Sequence, residues 1–140
     1  MRKIALLIAA LLIASPTIAF AEMRVSEAVT GLGATAKYEI VDPTDQFAPD
    51  TAKIFCAWKA KDLDGDTAVR GVWIAEDVGD VAPANYKIDE ATVKVSGGGT
   101  ASGTFNISKP NNGFPVGKYR LEIYLNDDLA RTVKFTVKGK

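Results

Sequence analysis

"FPVGKYRLEIYL", residues 114–125, decides how this chain is read. From Lys118 onward, polar and apolar residues alternate: Tyr119, Leu121, Ile123 and Leu125 take one side, Lys118, Arg120 and Glu122 the other. Successive side chains of a strand point to opposite faces, so a period of two predicts a strand with one buried face. Asn126-Asp127-Asp128 interrupts the pattern as a turn would, and "LARTVKFTV" (129–137) resumes it with Val133, Phe135 and Val137 inward. The two runs predict a hairpin. Arg131 falls at inner-face parity between Leu129 and Val133, which predicts either a bulge there or a place at an open rim. A buried ligand-binding arginine is the costlier alternative, because an unpaired buried charge is penalised.

The same period runs through the chain upstream. In "AKIFCAWKAK" (52–61), Ala52, Ile54, Cys56, Trp58 and Ala60 share the face expected to be buried, with Lys53, Phe55, Ala57, Lys59 and Lys61 opposite. In "TAVRGVWIAE" (67–76), Val69, Gly71, Trp73 and Ala75 point inward, Arg70 and Glu76 outward. "ATVKVS" (91–96) and "ASGTFNIS" (101–108) flank "GGGT", whose glycines accept the positive φ of a tight turn, and they predict a hairpin. "RVSEAV" (24–29) and "AKYEIV" (36–41) are weaker strand candidates around Gly31 and Gly33. Pro43 and Pro49 are expected to hold 42–51 open, since proline cannot donate to a ladder. Residues 77–90 read as a long connection or as one that contains a short edge strand. With no helical periodicity, internal repeat or low-complexity tract, short strands at this spacing predict an all-β sandwich or barrel.

The first residues, "MRKIALLIAALLIASPTIAFAEM", carry Arg2 and Lys3, an apolar run from Ile4 to Ala14, and the small-residue pattern Ala19-Phe20-Ala21 before Glu22. That order predicts a cleavable secretory signal over 1–21 and one domain over 22–140, periplasmic or secreted. The unbroken apolar run is shorter than the ~20 residues that cross a bilayer, so no transmembrane segment is expected after processing. Removing 1–21 takes Arg2 and Lys3 from seventeen basic residues and nothing from seventeen acidic ones, leaving fifteen against seventeen, a net charge of −2. Nucleic-acid partners usually require a basic surplus, so none is expected. A single cysteine, Cys56, forms no internal disulfide, and its inward position favours a core thiol over a reactive one. The chain has no histidine, which removes Ser-His-Asp and Cys-His catalysis and histidine-ligated zinc.

Three features follow one another: Cys56 inward on one strand, Trp73 inward on the next, and Tyr119 after Gly117 near the start of the penultimate strand. This order resembles an immunoglobulin-like β-sandwich, where an inner cysteine, a core tryptophan and a tyrosine corner recur. More narrowly, "DQFAPDTAKIFCAWKA", "VRGVWIAED" and "FPVGKYRLEIYLNDDLARTVKFTV" resemble a largely uncharacterised family of small exported bacterial immunoglobulin-like domains. The resemblance implies an antiparallel sandwich of about seven to nine strands, with Cys56, Trp58, Trp73, Tyr119, Leu121 and Phe135 in the core. Leu121 stands where antibody domains carry their second cysteine, so the disulfide of those domains is absent.

The densest carboxylates, Asp62, Asp64 and Asp66 in "KDLDGDTAVRGVW", are the weak calcium candidates. An EF-hand loop needs glycine at its sixth position and a bidentate glutamate at its twelfth, where this stretch has Thr67 and Trp73. Asp64-Gly65 is a turn signal, so a polar turn is favoured. The resemblance, through its tyrosine corner, implies that this turn crosses between sheets; the alternative is a direct hairpin in which Cys56 would face Trp73 and Gly71 would make room for Trp58. Asp77 and Asp80 are the acids that another loop would add to complete a non-EF site. Asn106-Ile107-Ser108 matches a glycosylation acceptor inside a predicted strand, and Asp127-Asp128 are adjacent turn acids, unlike the facing pair of a glycosidase.

With core and turns accounted for, no catalytic set is left over. The expectation is a non-catalytic exported binding or assembly module, without cofactor, that engages a protein of the cell envelope through loops or an edge strand. Glycan binding is an alternative that would need an exposed aromatic platform from Phe55, Tyr86, Phe114 and Tyr124. Peptidase inhibition through "PNNGFPVG" (110–117) is another.

Overall fold

Nine strands form among residues 22–139, the part of the chain that the computed structural model describes; the expected signal at 1–21 lies outside the described residues. They are β1 (Arg24–Ala34), β2 (Ile40–Pro43), β3 (Gln46–Phe47), β4 (Lys53–Leu63), β5 (Thr67–Asp77), β6 (Tyr86–Val95), β7 (Gly99–Ser108), β8 (Gly117–Leu125) and β9 (Asp128–Val137). A four-stranded sheet in the order β2-β1-β4-β7 packs on a five-stranded sheet in the order β3-β9-β8-β5-β6. Every pairing is antiparallel except the short parallel contact of β3 with β9.

The inward faces are those that the alternation predicts. Ile54, Cys56, Trp58 and Ala60 of β4 are buried, as are Val69, Trp73 and Ala75 of β5, Tyr119, Leu121, Ile123 and Leu125 of β8, and Phe135 and Val137 of β9. Each large apolar side chain taken from water contributes about 1.5–3 kcal/mol, and these rows make the core. Phe135 sits at its aromatic centre, stacked on Tyr119 at 5.2 Å and edge-on to Trp73 and Phe47 at 5.8 and 5.7 Å. Trp58 stacks on Phe105 of β7 at 5.9 Å. Two residues of the 52–61 run depart from the expected faces: Ala52 precedes β4 and is exposed, and Ala57, expected opposite the buried face, is itself covered.

The Asp62–Asp66 turn crosses between sheets, since β4 and β5 belong to different ones. Space for Trp58 comes from Gly103, whose added Cβ would lie 2.5 Å from Trp58 Cζ2, while Gly71 makes room for Phe105. The expectation that Gly71 would serve Trp58 belonged to the hairpin that does not form.

Three expectations are corrected. The runs 91–96 and 101–108 do not form a hairpin: β6 pairs β5 and β7 pairs β4, so "GGGT" carries the chain across the end of the sandwich. Asp66 Oδ1 accepts the Gly97 N–H at 2.8 Å, and Gly98 passes so close to the Leu63 carbonyl that a Cβ would stand 2.6 Å away. Alternation and turn glycines look alike for a hairpin and for such a crossing. The 77–90 stretch does contain the start of an edge strand, one of its two readings, but the strand is long, not short: β6 begins at Tyr86 and runs ten residues. The strand foreseen at 36–41 is instead β2, from Ile40, because Tyr38 at φ 61 turns the chain there and donates its N–H to Thr35 O.

Residues 42–51 are less open than the two prolines suggest. Thr30 Oγ1 donates to Thr44 O at 2.6 Å where the chain leaves the first sheet, and Thr136 N and Lys138 N donate to Asp45 O and Phe47 O on the second. Arg131 is exposed at the sandwich rim beside a bulge, where the pairing shifts from Ile123↔Arg131 to Tyr124↔Leu129, and its Nη1 donates to Val25 O at 3.3 Å.

Candidate binding cleft

Loops 78–85 and 109–116 meet at one end of the sandwich. Between them lies an apolar cleft of about 340 Å³. Buried Val78, Phe114 and Tyr119 form its floor, and Val81 and Tyr86, 70% and 52% exposed, stand at its mouth. Pro83, Pro110 and Pro115 complete the walls.

Each wall is held by backbone chemistry. Asp77 Oδ1 accepts the Gly79 N–H at 3.1 Å and starts a single 3₁₀ turn, Gly79–Val81. The loop returns at Asn85, whose N–H donates to Glu76 O and whose side-chain oxygen accepts from Arg120 Nη1 at 2.7 Å. Arg120 also holds Glu76 and Glu122 at 3.2 and 3.3 Å, so the outer face of β8 braces this wall. On the other side Gly113 N closes a turn on Pro110 O, and Phe114 N donates to Pro49 O at 2.8 Å. The Tyr119 hydroxyl donates to Pro115 O, the tyrosine corner expected of Tyr119. Gly117 lets the walls meet, for a Cβ there would stand 2.2 Å from Asp77 O.

The groups that line the cleft are almost all apolar. Its lining holds no carboxylate, amine, guanidinium or thiol among the described residues. Its titratable groups are the phenols of Tyr86 and Tyr119, and burial pushes Tyr119 up to about 12. Ligand pockets are usually apolar with few polar groups, although commonly as large as this or larger.

The other candidates lie apart from it. Asp62, Asp64 and Asp66 sit at the opposite end of the sandwich: Asp62 pairs with Arg24, and Asp66 holds the crossing loop through Gly97. No group of three potential metal-ligating side chains converges among the described residues. Phe55 projects from the outer face of β4 and Tyr124 from the outer face of β8, on opposite sides of the molecule. Tyr124 lies under Arg70 at 4.4 Å and donates to Glu122 at 3.0 Å. Of the four aromatics considered for glycans, only Tyr86 and Phe114 share a site, and Phe114 is 3% exposed. The 110–117 loop folds back on Pro49 and exposes Asn111 and Asn112 at its tip. Cys56 is fully buried, and burial pushes its thiol up to about 12, partly opposed by Arg131.

Sequence reading did not foresee the cleft as a unit. The proline-rich stretches around Pro83 and Pro110 were its trace, but loop closure in space is not encoded by any local period.

No protein-family model matches the chain, and no curated protein does. Solved structures do. An immunoglobulin-like protein from Pseudomonas aeruginosa is similar over 86% of this chain and 99% of its own, with 19% identity and a TM-score of 0.51. A β-glucosidase from Erythrobacter marinus matches over 84% of this chain with 8% identity and a TM-score of 0.54, but the chain spans only 15% of that enzyme. A DNA glycosylase from Pseudomonas fluorescens matches at a TM-score of 0.53 and 9% identity, over 84% of this chain and 31% of the enzyme. Likeness at such identities speaks for the fold alone. That fold agrees with the two sheets, the crossing between β4 and β5, and the hydroxyl of Tyr119 turned back on Pro115. This chain is therefore an immunoglobulin-like β-sandwich.

Proposed function

We propose that the chain is a non-catalytic, exported binding module that takes an apolar side chain or short segment of a cell-envelope protein into the cleft between loops 78–85 and 109–116. The observation that carries this reading is Val81 and Tyr86 held exposed over a buried apolar floor by a braced backbone. Exposed apolar groups gathered around a concavity mark interaction sites more often than singly scattered ones do. Rigid walls lower the entropy lost on association. Export is supported by the order of charges, apolar run and small residues over 1–21.

Val81→Asp tests the cleft, because it places a charge at the mouth on a side chain that is 70% exposed. The melting temperature is expected to stay within a degree or two, while photo-crosslinking from position 86 in intact cells loses its adduct. An adduct that survives Val81→Asp places the contact elsewhere and overturns the reading. Intact mass of the exported protein tests processing after Ala21.

A further inference from the structure

The long edge strands of the two sheets are protected differently. β6 carries Lys87, Asp89, Glu90 and Lys94 along its length, charges of the kind that prevent edge-to-edge pairing. β7, "GTASGTFNIS", has ten residues with neither a charge nor a proline. Among the described residues it ends the four-stranded sheet, with β4 as its only neighbour.

Its ladder phase follows from one bond. Lys109 N donates to Ala52 O at 2.9 Å, and the register continues unbroken from Lys53↔Ser108 to Ala60↔Ala101. Antiparallel ladders alternate, so the odd-numbered residues of β7 bond β4 and the even ones turn N–H and C=O to the open side. Those residues are Thr100, Ser102, Thr104, Asn106 and Ser108, whose side chains also face solvent or are half-buried.

We propose that β7 is a self-association edge, and that a second copy of this chain adds its own β7 antiparallel about a two-fold axis at Thr104. In that register Thr100 faces Ser108, Ser102 faces Asn106, and Thr104 faces itself. Every pair is small and hydrogen-bonding, a combination that favours cross-strand contact. No like charges meet. Lys59 of β4, behind Ser102, would look across the joint at Phe55 of the other copy, whose strand lies three spacings away, about 14 Å. An isologous contact needs one surface complementary to itself, which β7 is and β6 is not. The inference does not depend on the cleft.

Sedimentation of the purified chain over a range of concentrations reads the dimer. Thr104→Lys and Thr104→Glu are each expected to weaken it about tenfold or more by placing like charges opposite, and a mixture of the two is expected to recover it. Thr104→Cys changes the fold least. Mild oxidation should join it covalently to its copy, since paired Cα atoms about 5.5 Å apart suit a disulfide. Thr100→Cys, facing Ser108, should not join. A chain that stays monomeric at its highest soluble concentration overturns the proposal. So does a dimer indifferent to the charge at 104, or equal crosslinking at 100 and 104.

Discussion

Cys56 and Tyr119 link the buried core to alkaline pH. Burial raises the Cys56 thiol from an ordinary 9.0 to about 12, and the Tyr119 phenol from 10.0 to about 12. The unfolded chain therefore loses these protons first. Their contribution to stability is fully present below pH 9 and is lost as pH rises toward 12, with a slope of up to about 1.4 kcal/mol per pH unit for each group. Cys56→Ala should lower stability at neutral pH by leaving a small cavity, yet give a shallower decline between pH 9 and 11. Urea titrations of both proteins across that range test it. Parallel declines would show that the thiol is as accessible to hydroxide in the folded chain as in the unfolded one.

At the level of the strand, protection should follow position in the sheet. β4, β5 and β8 are flanked on both sides, whereas β2 and β6 are edges. Amide hydrogens that lie within two ladders exchange through larger openings. Hydrogen exchange at low protein concentration should therefore be slowest in β4, β5 and β8 and fast along the open side of β6. Uniform protection of β6 would place a further strand beside it. The same contrast explains what the amino-acid order makes legible. Faces of β4, β5, β8 and β9 could be read because each turns its largest side chains to the core, although Val72 and Ile74 on the other face of β5 are covered as well, and a one-residue slip would carry Trp73 or Leu121 out of it. The partners of β6 and β7 could not be read, because residues 96–99 close a turn of the same composition whether the chain returns in one sheet or passes to the other. The loops of the cleft carry no period at all. Their positions come from Gly117, Asn85 and the Tyr119 hydroxyl, each a contact made in space.

For the molecule as a whole, the core works without a covalent crosslink, so single aromatic residues matter. Trp73 is 1% exposed against Phe135, and Trp73→Ala should cost about 3–5 kcal/mol. Whole domains often have only about 5–15 kcal/mol. Tyr119→Phe keeps the stacking on Phe135 and loses only the bond to Pro115 O, so about 0.5–1.5 kcal/mol is expected, more if that carbonyl is left dry. Guanidinium titration should rank the two variants in that order. The reverse order would mean that the corner, and not the aromatic cluster, limits the fold.

The parallel pairing of β3 with β9 has a mechanical meaning. β1 begins beside Lys61 and β9 ends beside Gly117, so the two terminal strands leave the sandwich at opposite poles. A pull between Arg24 and Val137 runs along the strand axes. The bonds from Thr136 N to Asp45 O and from Lys138 N to Phe47 O would then be loaded in shear together, whereas a load across the strands would open them one at a time. Forced unfolding is governed by the unfolding rate, and this small patch near the C-terminal pole shares the shear on β9 with the longer ladder that joins β9 to β8.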